Sequence, residues 1–410
     1  MTILKLDLTD MAHGGYALGR DKDGRPIFVP YAIPGETVTV ALTNDRRNYA
    51  HARLVSVDSP SPDRVEPRCR HFGQCGGCHL QHVAYERQLA LKREVVIDQL
   101  QRIGGFKSVN VQPVLPNPQP YEYRLDLPLS PTAAGGLGLW SPILREVMPI
   151  EECPITAPPL VALLQDFDME LPELRQLTLR LGDDGELLAV FAVEDLEPPS
   201  LEVDFPVSVA IVLPDETAAS LIGEHYHVRS VLGRYFRVSP GCFFQPSAAG
   251  AALVVETVLR YADLHQTELV LEGYSGVGLL TAFLAEGAAE LVAIEQNPDA
   301  VADTAVNLAD SDNVRLYEGD IDEILPALNL AADTAVFHPP SSGLSQAVLQ
   351  ALAAKPPERL VYLNAELTML ARDGKQLAQS GYNLVEVQPI DVAPQTFQIE
   401  TVSLWLRNNL

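Results

Sequence analysis

Short runs of alternating apolar and polar positions fill residues 1–57, as in Ile27-Phe28-Val29 and Thr37-Val38-Thr39-Val40. Turn signals at Gly14-Gly15, Asp23-Gly24 and Pro34-Gly35 break them, and a period of two with such breaks predicts a small all-β barrel. The Pro/Ser-rich stretch SPSPDRVEPRC follows as a linker. Residues 83–103 change to helical spacing, with Leu89, Val96 and Leu100 on one side and Lys92 and Arg93 expected on the wetter side. Gly104-Gly105 stops that helix. Residues 108–235 read as short strands among many prolines, a β-rich middle region. From about residue 240 strands alternate with helices: LVLEG, LVAIE, NVRLYEGD, TAVFHPP, RLVYLNA, YNLVEVQP and ETVSLWLR are the strands, with helices between, one of them running through Phe283 and another starting at Pro298. Alternation of this kind predicts a doubly wound α/β sheet. The expected divisions are a barrel at 1–57, a cysteine-bearing and β-rich region at 58–235, and an α/β domain at 236–410.

Composition is that of an ordinary globular chain, with 47% apolar and 20% charged residues over 410 positions. No apolar run reaches 18 residues, so a helical membrane span is not expected. The first residues, MTILKLDLTDMAHGG, lack a charged-then-apolar leader, and the five cysteines are an odd number in a long chain. Both point to the cytoplasm. A monomer is expected. The net charge of −25 argues against a polyanionic partner until it is divided along the chain. Residues 1–107 carry a net +3 and the remainder a net −28. If any part meets RNA, it is the first quarter, where Arg46, Arg47 and Arg53 gather.

Chemistry concentrates in two places. Cys69, Cys75 and Cys78 lie in CRHFGQCGGCHLQH, and Cys153 follows in IEECPI. Three thiolates within ten residues, with glycines that let the loop turn tightly, converge on one centre, and the distant fourth completes a four-sulfur site. The spacing suits either tetrahedral zinc or an iron–sulfur cube, with His79 and His82 as further possible zinc ligands. In the α/β region, Glu272-Gly273-Tyr274-Ser275-Gly276-Val277-Gly278 follows an apolar strand and opens a helix. Backbone N–H groups there are open to a ligand, and Glu295, at the end of the next strand, can accept both hydroxyls of a ribose. An adenosine-containing ligand fits, whether a dinucleotide or S-adenosylmethionine.

In this order the motifs resemble the RNA (uracil-5-)-methyltransferases, a resemblance that spans essentially the whole chain. It rests on CRHFGQCGGCHLQH with Cys153, on GRYFRVSPGCFFQ, LEGYSGVG and NVRLYEGD, and on the closing PQTFQIETVSLW. The resemblance implies an OB-like TRAM barrel, a four-cysteine 4Fe-4S cluster, a β-rich central domain and a Rossmann-like domain that binds S-adenosylmethionine. On the cofactor side it implies Gln245, Tyr274, Gly276, Gly278, Glu295 and Asp320 as binding residues. Leu279 departs from the family's frequent asparagine.

In that family a cysteine thiolate adds to carbon 6 of uracil, carbon 5 takes the methyl group, and a carboxylate removes the carbon-5 proton. Here the catalytic motifs are altered. The family's Asp-Pro-Pro-Arg reads His338-Pro339-Pro340-Ser341, and its Ser-Cys-Asn-Pro reads Asn364-Ala365-Glu366-Leu367. Ala365 takes the nucleophile's position, and an alanine methyl cannot add to a pyrimidine. Glu400 stands where the general base belongs. Tyr123-Arg124-Leu125-Asp126 replaces a Tyr-Arg-Asn-Lys pattern and loses a basic substrate contact. Cys242 reads as a small buried residue rather than a substitute nucleophile. His338 invites a general-base reading but reads first as relaxed constraint, and Glu366 is a weak candidate to pair with Glu400. Two function classes remain: an RNA methyltransferase with substitute residues, and a non-catalytic RNA- or protein-binding relative that keeps the fold and the cofactor site.

Overall fold

The computed structural model describes residues 2–167, 172–195, 206–215 and 217–408. Strands β1 (Ile3–Ala12), β2 (Tyr16–Arg20), β3 (Pro26–Pro30), β4 (Thr37–Asp45) and β5 (Ala50–Ser59) close into a barrel in the order β1-β2-β3-β5-β4. Their inward positions, among them Leu6, Ala17, Ile27, Val29, Val38 and Val40, form its core. The linker folds back on it: Arg64 donates to buried Glu36 at 2.6 and 2.8 Å and to the Tyr31 carbonyl at 3.0 Å.

Helix α1 (Tyr85–Arg102) forms where the spacing predicted it. Lys92, however, is not on its wetter side. It is 3% exposed and its ammonium lies 2.6 Å from Asp391, which is also buried. Periodicity assigns a lysine to water by default, and a buried carboxylate brought from 299 residues away overrides that default. Leu91, Val96 and Leu100 of α1 pack in one core with residues of the C-terminal sheet.

The middle region is a seven-stranded sheet in the order β12-β11-β10-β9-β6-β7-β8, built from β6 (Asp126–Pro131), β7 (Leu137–Ser141), β8 (Glu146–Pro149), β9 (Leu174–Leu181), β10 (Leu187–Val193), β11 (Ser208–Val212) and β12 (Ala218–Ile222). Helix α2 (Pro158–Asp166) belongs to it as well. The reading of the whole middle region as strands overlooked α2, where Pro158 and Pro159 occupy the first helical turn, a position proline suits. A hairpin follows, β13 (His227–Val231) and β14 (Arg234–Val238). The division expected at 235/236 falls inside β14, whose Phe236 and Val238 pack with the C-terminal core.

That C-terminal part contains α3 (Ala248–Ala262), β15 (Leu269–Gly273), α4 (Leu279–Gly287), β16 (Glu290–Glu295), α5 (Pro298–Asn307), β17 (Val314–Glu318), α6 (Ile321–Leu328), β18 (Thr334–Phe337), α7 (Gln346–Ala354), β19 (Arg359–Asn364), α8 (Leu367–Gln379), β20 (Tyr382–Ile390) and β21 (Glu400–Arg407). Its sheet runs β17-β16-β15-β18-β19-β21-β20, with the first five strands parallel and β21 antiparallel to both neighbours. The chain winds outward from β15 through β16 to β17, then resumes on the other side with β18. The crevice beyond the carboxyl ends of β15 and β18 is therefore the expected ligand position. No helix among the described residues is long and apolar enough to cross a membrane.

Candidate active site and cysteine pocket

Two turns shape the near rim of the crevice. After β15 the chain enters the left-handed region at Tyr274 (φ 63°), Gly276 (φ 57°) and Gly278 (φ 84°). A β-carbon at Gly278 would come within 3.1 Å of the Thr304 methyl, so both conformation and space call for glycine there. Glu295 clamps this turn. One carboxylate oxygen accepts from the Gly276 N–H at 2.8 Å, and the other accepts from Gln296 and Asn297 N–H at 2.9 and 2.8 Å. A carboxylate has about four acceptor directions, so one remains for a ligand. Thr304 and Asn307 of α5 hold the Gly276 and Val277 carbonyls from behind at 2.8 Å each.

Beside the turn lies a cleft of about 490 Å³, within the range of small-molecule sites. Tyr274, Gln296, Asp320, Ser342, Gly343 and Arg372 are among the residues lining it. Asp320 has a second task, capping α6 by accepting from the Asp322 N–H at 2.9 Å. Burial pushes the Tyr274 phenol up to about 12, so it stays a neutral donor. Glu272, at the end of β15, is 2% exposed, and burial, with the neighbouring Glu295 charge, pushes it up to about 8. Gln245 is buried on the segment after β14, where its carbonyl accepts from Arg229 at 2.9 Å. Cys242 is buried too, and burial together with Asp303 and Asp299 pushes its thiol up to about 12, which leaves it inert as a nucleophile near neutral pH.

The far rim is formed by β18, β19 and β21. Register aligns Phe337 with Gly273 and Tyr362, and Asn364 with Thr401. His338, Ala365 and Glu400 consequently stand together at one end of the sheet. Ala365 is exposed. His338 Nε2 lies 3.6 Å from Glu400 Oε2, with the imidazole 23% exposed and the carboxylate 4%. Desolvation by itself would lower the His338 pKa, but facing Glu400 outweighs it and the pKa is raised above the usual imidazole value. The other carboxylate oxygen, Oε1, is buried without a hydrogen-bond partner. Glu366 does not pair with Glu400. It caps α8, takes the Thr368 hydroxyl at 2.9 Å, and meets His13 of the barrel at 3.3 Å.

Support for this rim comes from behind. Arg372 donates to the Ser342 and Leu344 carbonyls at 2.9 and 3.1 Å, and buried Asp373 takes the Leu344 N–H and the Tyr362 hydroxyl at 2.8 and 2.7 Å. Lys92 reaches Asp391 and the Ala393 and Gln398 carbonyls, while the Tyr85 hydroxyl donates to the other Asp391 oxygen at 2.9 Å. Sequence reading missed the Lys92–Asp391 and His338–Glu400 pairs. Sequence shows that His338 directly follows the apolar strand TAVF, at the carboxyl end of β18, but nothing local names Glu400 as its partner.

Cys69, Cys75, Cys78 and Cys153 line one pocket with Leu139, Ile150 and Ile155. All four are free thiols. Burial pushes the Cys69 thiol up to about 11 and Cys78 up to about 12 and raises Cys75, and proximity to Cys153 raises all three further. The Gly77 N–H and the Thr156 hydroxyl donate to Cys75 and Cys153 sulfur at 3.3 and 3.1 Å. Among the described residues, no three His, Cys, Asp or Glu side chains gather closely enough to hold a metal ion. His79 packs on Phe397 and His82 on Phe72, both with pKa values lowered to about 4 by burial, so it is His71 rather than either of them that joins the thiols at the pocket.

Comparison with known proteins adds three findings. The TRAM domain family matches residues 2–55. Over almost their full lengths, the chain is 31% identical to an uncharacterized RNA methyltransferase of Nostoc sp., covering 98% of this chain and 95% of the relative, and 31% identical to one of Bacillus cereus, covering 97% and 95%. In fold it is similar to a Pyrococcus abyssi tRNA (uracil-54, C5)-methyltransferase solved with S-adenosyl-L-homocysteine, with a TM-score of 0.75 at 23% identity, covering 98% of this chain and 100% of that one.

Proposed function

The chain belongs to the RNA methyltransferase family of these relatives, and from that premise we propose that it binds S-adenosylmethionine in the crevice and transfers a methyl group to RNA without a cysteine–uracil adduct. The observation that carries this reading is the Glu295-clamped turn beside a cleft of about 490 Å³ at the sheet's switch point. When bound, the cofactor supplies an electrophilic methyl group. Glu295 has one acceptor direction left for a ribose hydroxyl, Tyr274 and Asp320 flank the cleft, Gly276 leaves open space on the turn, and Gly278 lets the turn pack on Thr304 behind it. Gln245 is assigned to the same site by its motif.

The four thiols support a structural 4Fe-4S group. These line one apolar-walled pocket, and it is the resemblance that favours the iron–sulfur cube over zinc there. Cys69, Cys75, Cys78 and Cys153 would hold it, and the donors at Gly77 and Thr156 would face its sulfur ligands. RNA is assigned to the barrel side, where Arg46, Arg47 and Arg53 are exposed and His51 stacks on Phe28 at 5.2 Å.

A second reading, an RNA- or protein-binding relative without turnover, draws on Ala365 and on the net −28 beyond residue 107. Calorimetric titration of the anaerobically purified chain with S-adenosylmethionine separates the two when followed by methyl-transfer assays on cellular RNA. Micromolar affinity with a methylated nucleoside is the expected result. Absence of cofactor binding in a folded, cluster-loaded protein would leave only the second reading.

A further inference from the structure

A cysteine-dependent site has no use for an imidazole where His338 stands, yet this one is built in. Its carboxylate partner is almost wholly buried and comes from a strand antiparallel to its neighbours. His338 follows β18 directly and its N–H donates to the Gly273 carbonyl at 3.4 Å, next to the glycine turn. Glu400 is the titratable group that bears on it. Gly273 from β15, Ala365 after β19, and Pro339, Pro340, Ser341 and Ser342 in the following loop bring no charge. Because Glu400 faces Nε2, the neutral ring keeps its proton on that side and presents Nδ1 as the acceptor.

We propose that His338 is the proton acceptor of this site, that Glu400 is its positioning residue, and that the methyl group goes to a ring N–H nitrogen of an RNA base instead of a pyrimidine carbon. The inference rests on reading the crevice as a methyl-donor site. Carbon 5 of uracil becomes nucleophilic only after a thiolate adds, and Ala365 offers none. A ribose hydroxyl is too weak an acid to surrender its proton to imidazole. An exocyclic amine attacks with its own lone pair and needs no base beforehand. A ring N–H is acidic enough for imidazole and is a poor nucleophile until the proton leaves. The acceptor nitrogen forms its bond to the methyl carbon as the methyl–sulfur bond breaks onto sulfur. The N–H proton passes to His338 Nδ1, and S-adenosylhomocysteine and the methylated base leave. The imidazolium then faces the Glu400 carboxylate.

The test uses the full cluster-loaded chain, tritiated S-adenosylmethionine and RNA from cells deleted for this gene, with products read by nucleoside mass spectrometry. A ring-nitrogen-methylated nucleoside is expected. His338→Asn should cut turnover about 10²- to 10⁴-fold and leave S-adenosylmethionine affinity within about twofold of wild type. Glu400→Gln should move the pH midpoint of turnover downward, and histidine-selective NMR of the RNA-free protein should show the same downward shift for the His338 ring. A wild-type chain that does not bind S-adenosylmethionine overturns the donor-site reading and this proposal with it. Cofactor binding with a carbon-methylated product, with no product, or with turnover that survives His338→Asn overturns this proposal alone. So does a His338 titration that Glu400→Gln leaves unmoved.

Discussion

The two rims of the crevice are made of different material. On the near rim, Glu295, Thr304 and Asn307 act on backbone N–H and C=O groups of the turn at residues 274–278. On the far rim the reactive positions are side-chain ends: an imidazole, a methyl and a carboxylate. Backbone donors survive substitution of most residues that carry them, whereas a side-chain nucleophile vanishes with one replacement. In the resemblance the near rim keeps the family's motif and the far rim departs from it, and that far rim still holds an internally paired group. Strong supports behind the far rim argue against a decayed site, and the sharpest way to break the comparison is to remove one.

Lys92→Met is the most damaging single change expected. It leaves Asp391, fully buried, without its cation and removes the anchors on the Ala393 and Gln398 carbonyls. Breaking such a pair costs about 3–5 kcal/mol, and thermal unfolding should record a loss of that size. A far rim that needs no support would be indicated by a shift below about 1 kcal/mol. On the near rim, Glu295→Ala removes three charge-assisted hydrogen bonds from the turn, each worth about 1.5–3 kcal/mol. Part of that loss is recovered by water, so an affinity for S-adenosylmethionine lowered on the order of 10²-fold is expected by calorimetry. His338→Asn, by contrast, should hardly alter binding. Equal losses from both variants would mean that the rims are one unit.

Much of this was legible beforehand, for reasons that differ by region. The barrel and the parallel strands announce themselves because local alternation and apolar runs are short-range properties, and the TRAM domain match at 2–55 agrees with the barrel. The glycine turn and Glu295 could be read from the strand–turn–helix pattern, whereas Tyr274 and Asp320 came from the resemblance; the structure sets Tyr274 and Asp320 beside the cleft. What failed depends on distant partners. Lys92 was assigned to water because its partner lies 299 positions away. Glu366 was the weak candidate partner for Glu400 and His338 was not considered for it, because the sheet order that sets β18 and β21 on either side of β19 is not a local property of the sequence. Helix α2 was lost because the proline-rich middle region was read as strands throughout.

A smaller effect comes from pH. The folded-state pKa of His338 is raised, so its pairing with Glu400 contributes stability that is complete below the unfolded value of about 6.5 and disappears as pH rises through the folded value. Partly exposed pairs are worth about 0.2–1 kcal/mol. The stability difference between wild type and His338→Gln, measured by urea unfolding at pH 5.5 and pH 9, should shrink by that order on the alkaline side. A difference that grows with pH would mean that the imidazole is neutral in the folded protein and that burial, not Glu400, governs it.

The smallest expected effect is the most pointed. Ala365 is exposed and, by the resemblance, stands at the family's nucleophile position, so Ala365→Cys would place a thiol there without a steric barrier. Turnover on uracil carbon 5 should nonetheless remain absent by nucleoside mass spectrometry. On our reading a thiol alone does not rebuild the site, because His338, which the resemblance aligns with the acid beside the donor, faces the carboxylate that it aligns with the carbon-5 base. Ser341 likewise stands, by the resemblance, in place of an arginine. With Glu400 committed to His338, a covalent adduct that did form could not resolve. Appearance of 5-methyluridine from Ala365→Cys alone would show the opposite, that the far rim was one residue away from its family's chemistry and that the His338–Glu400 pairing is no obstacle to it.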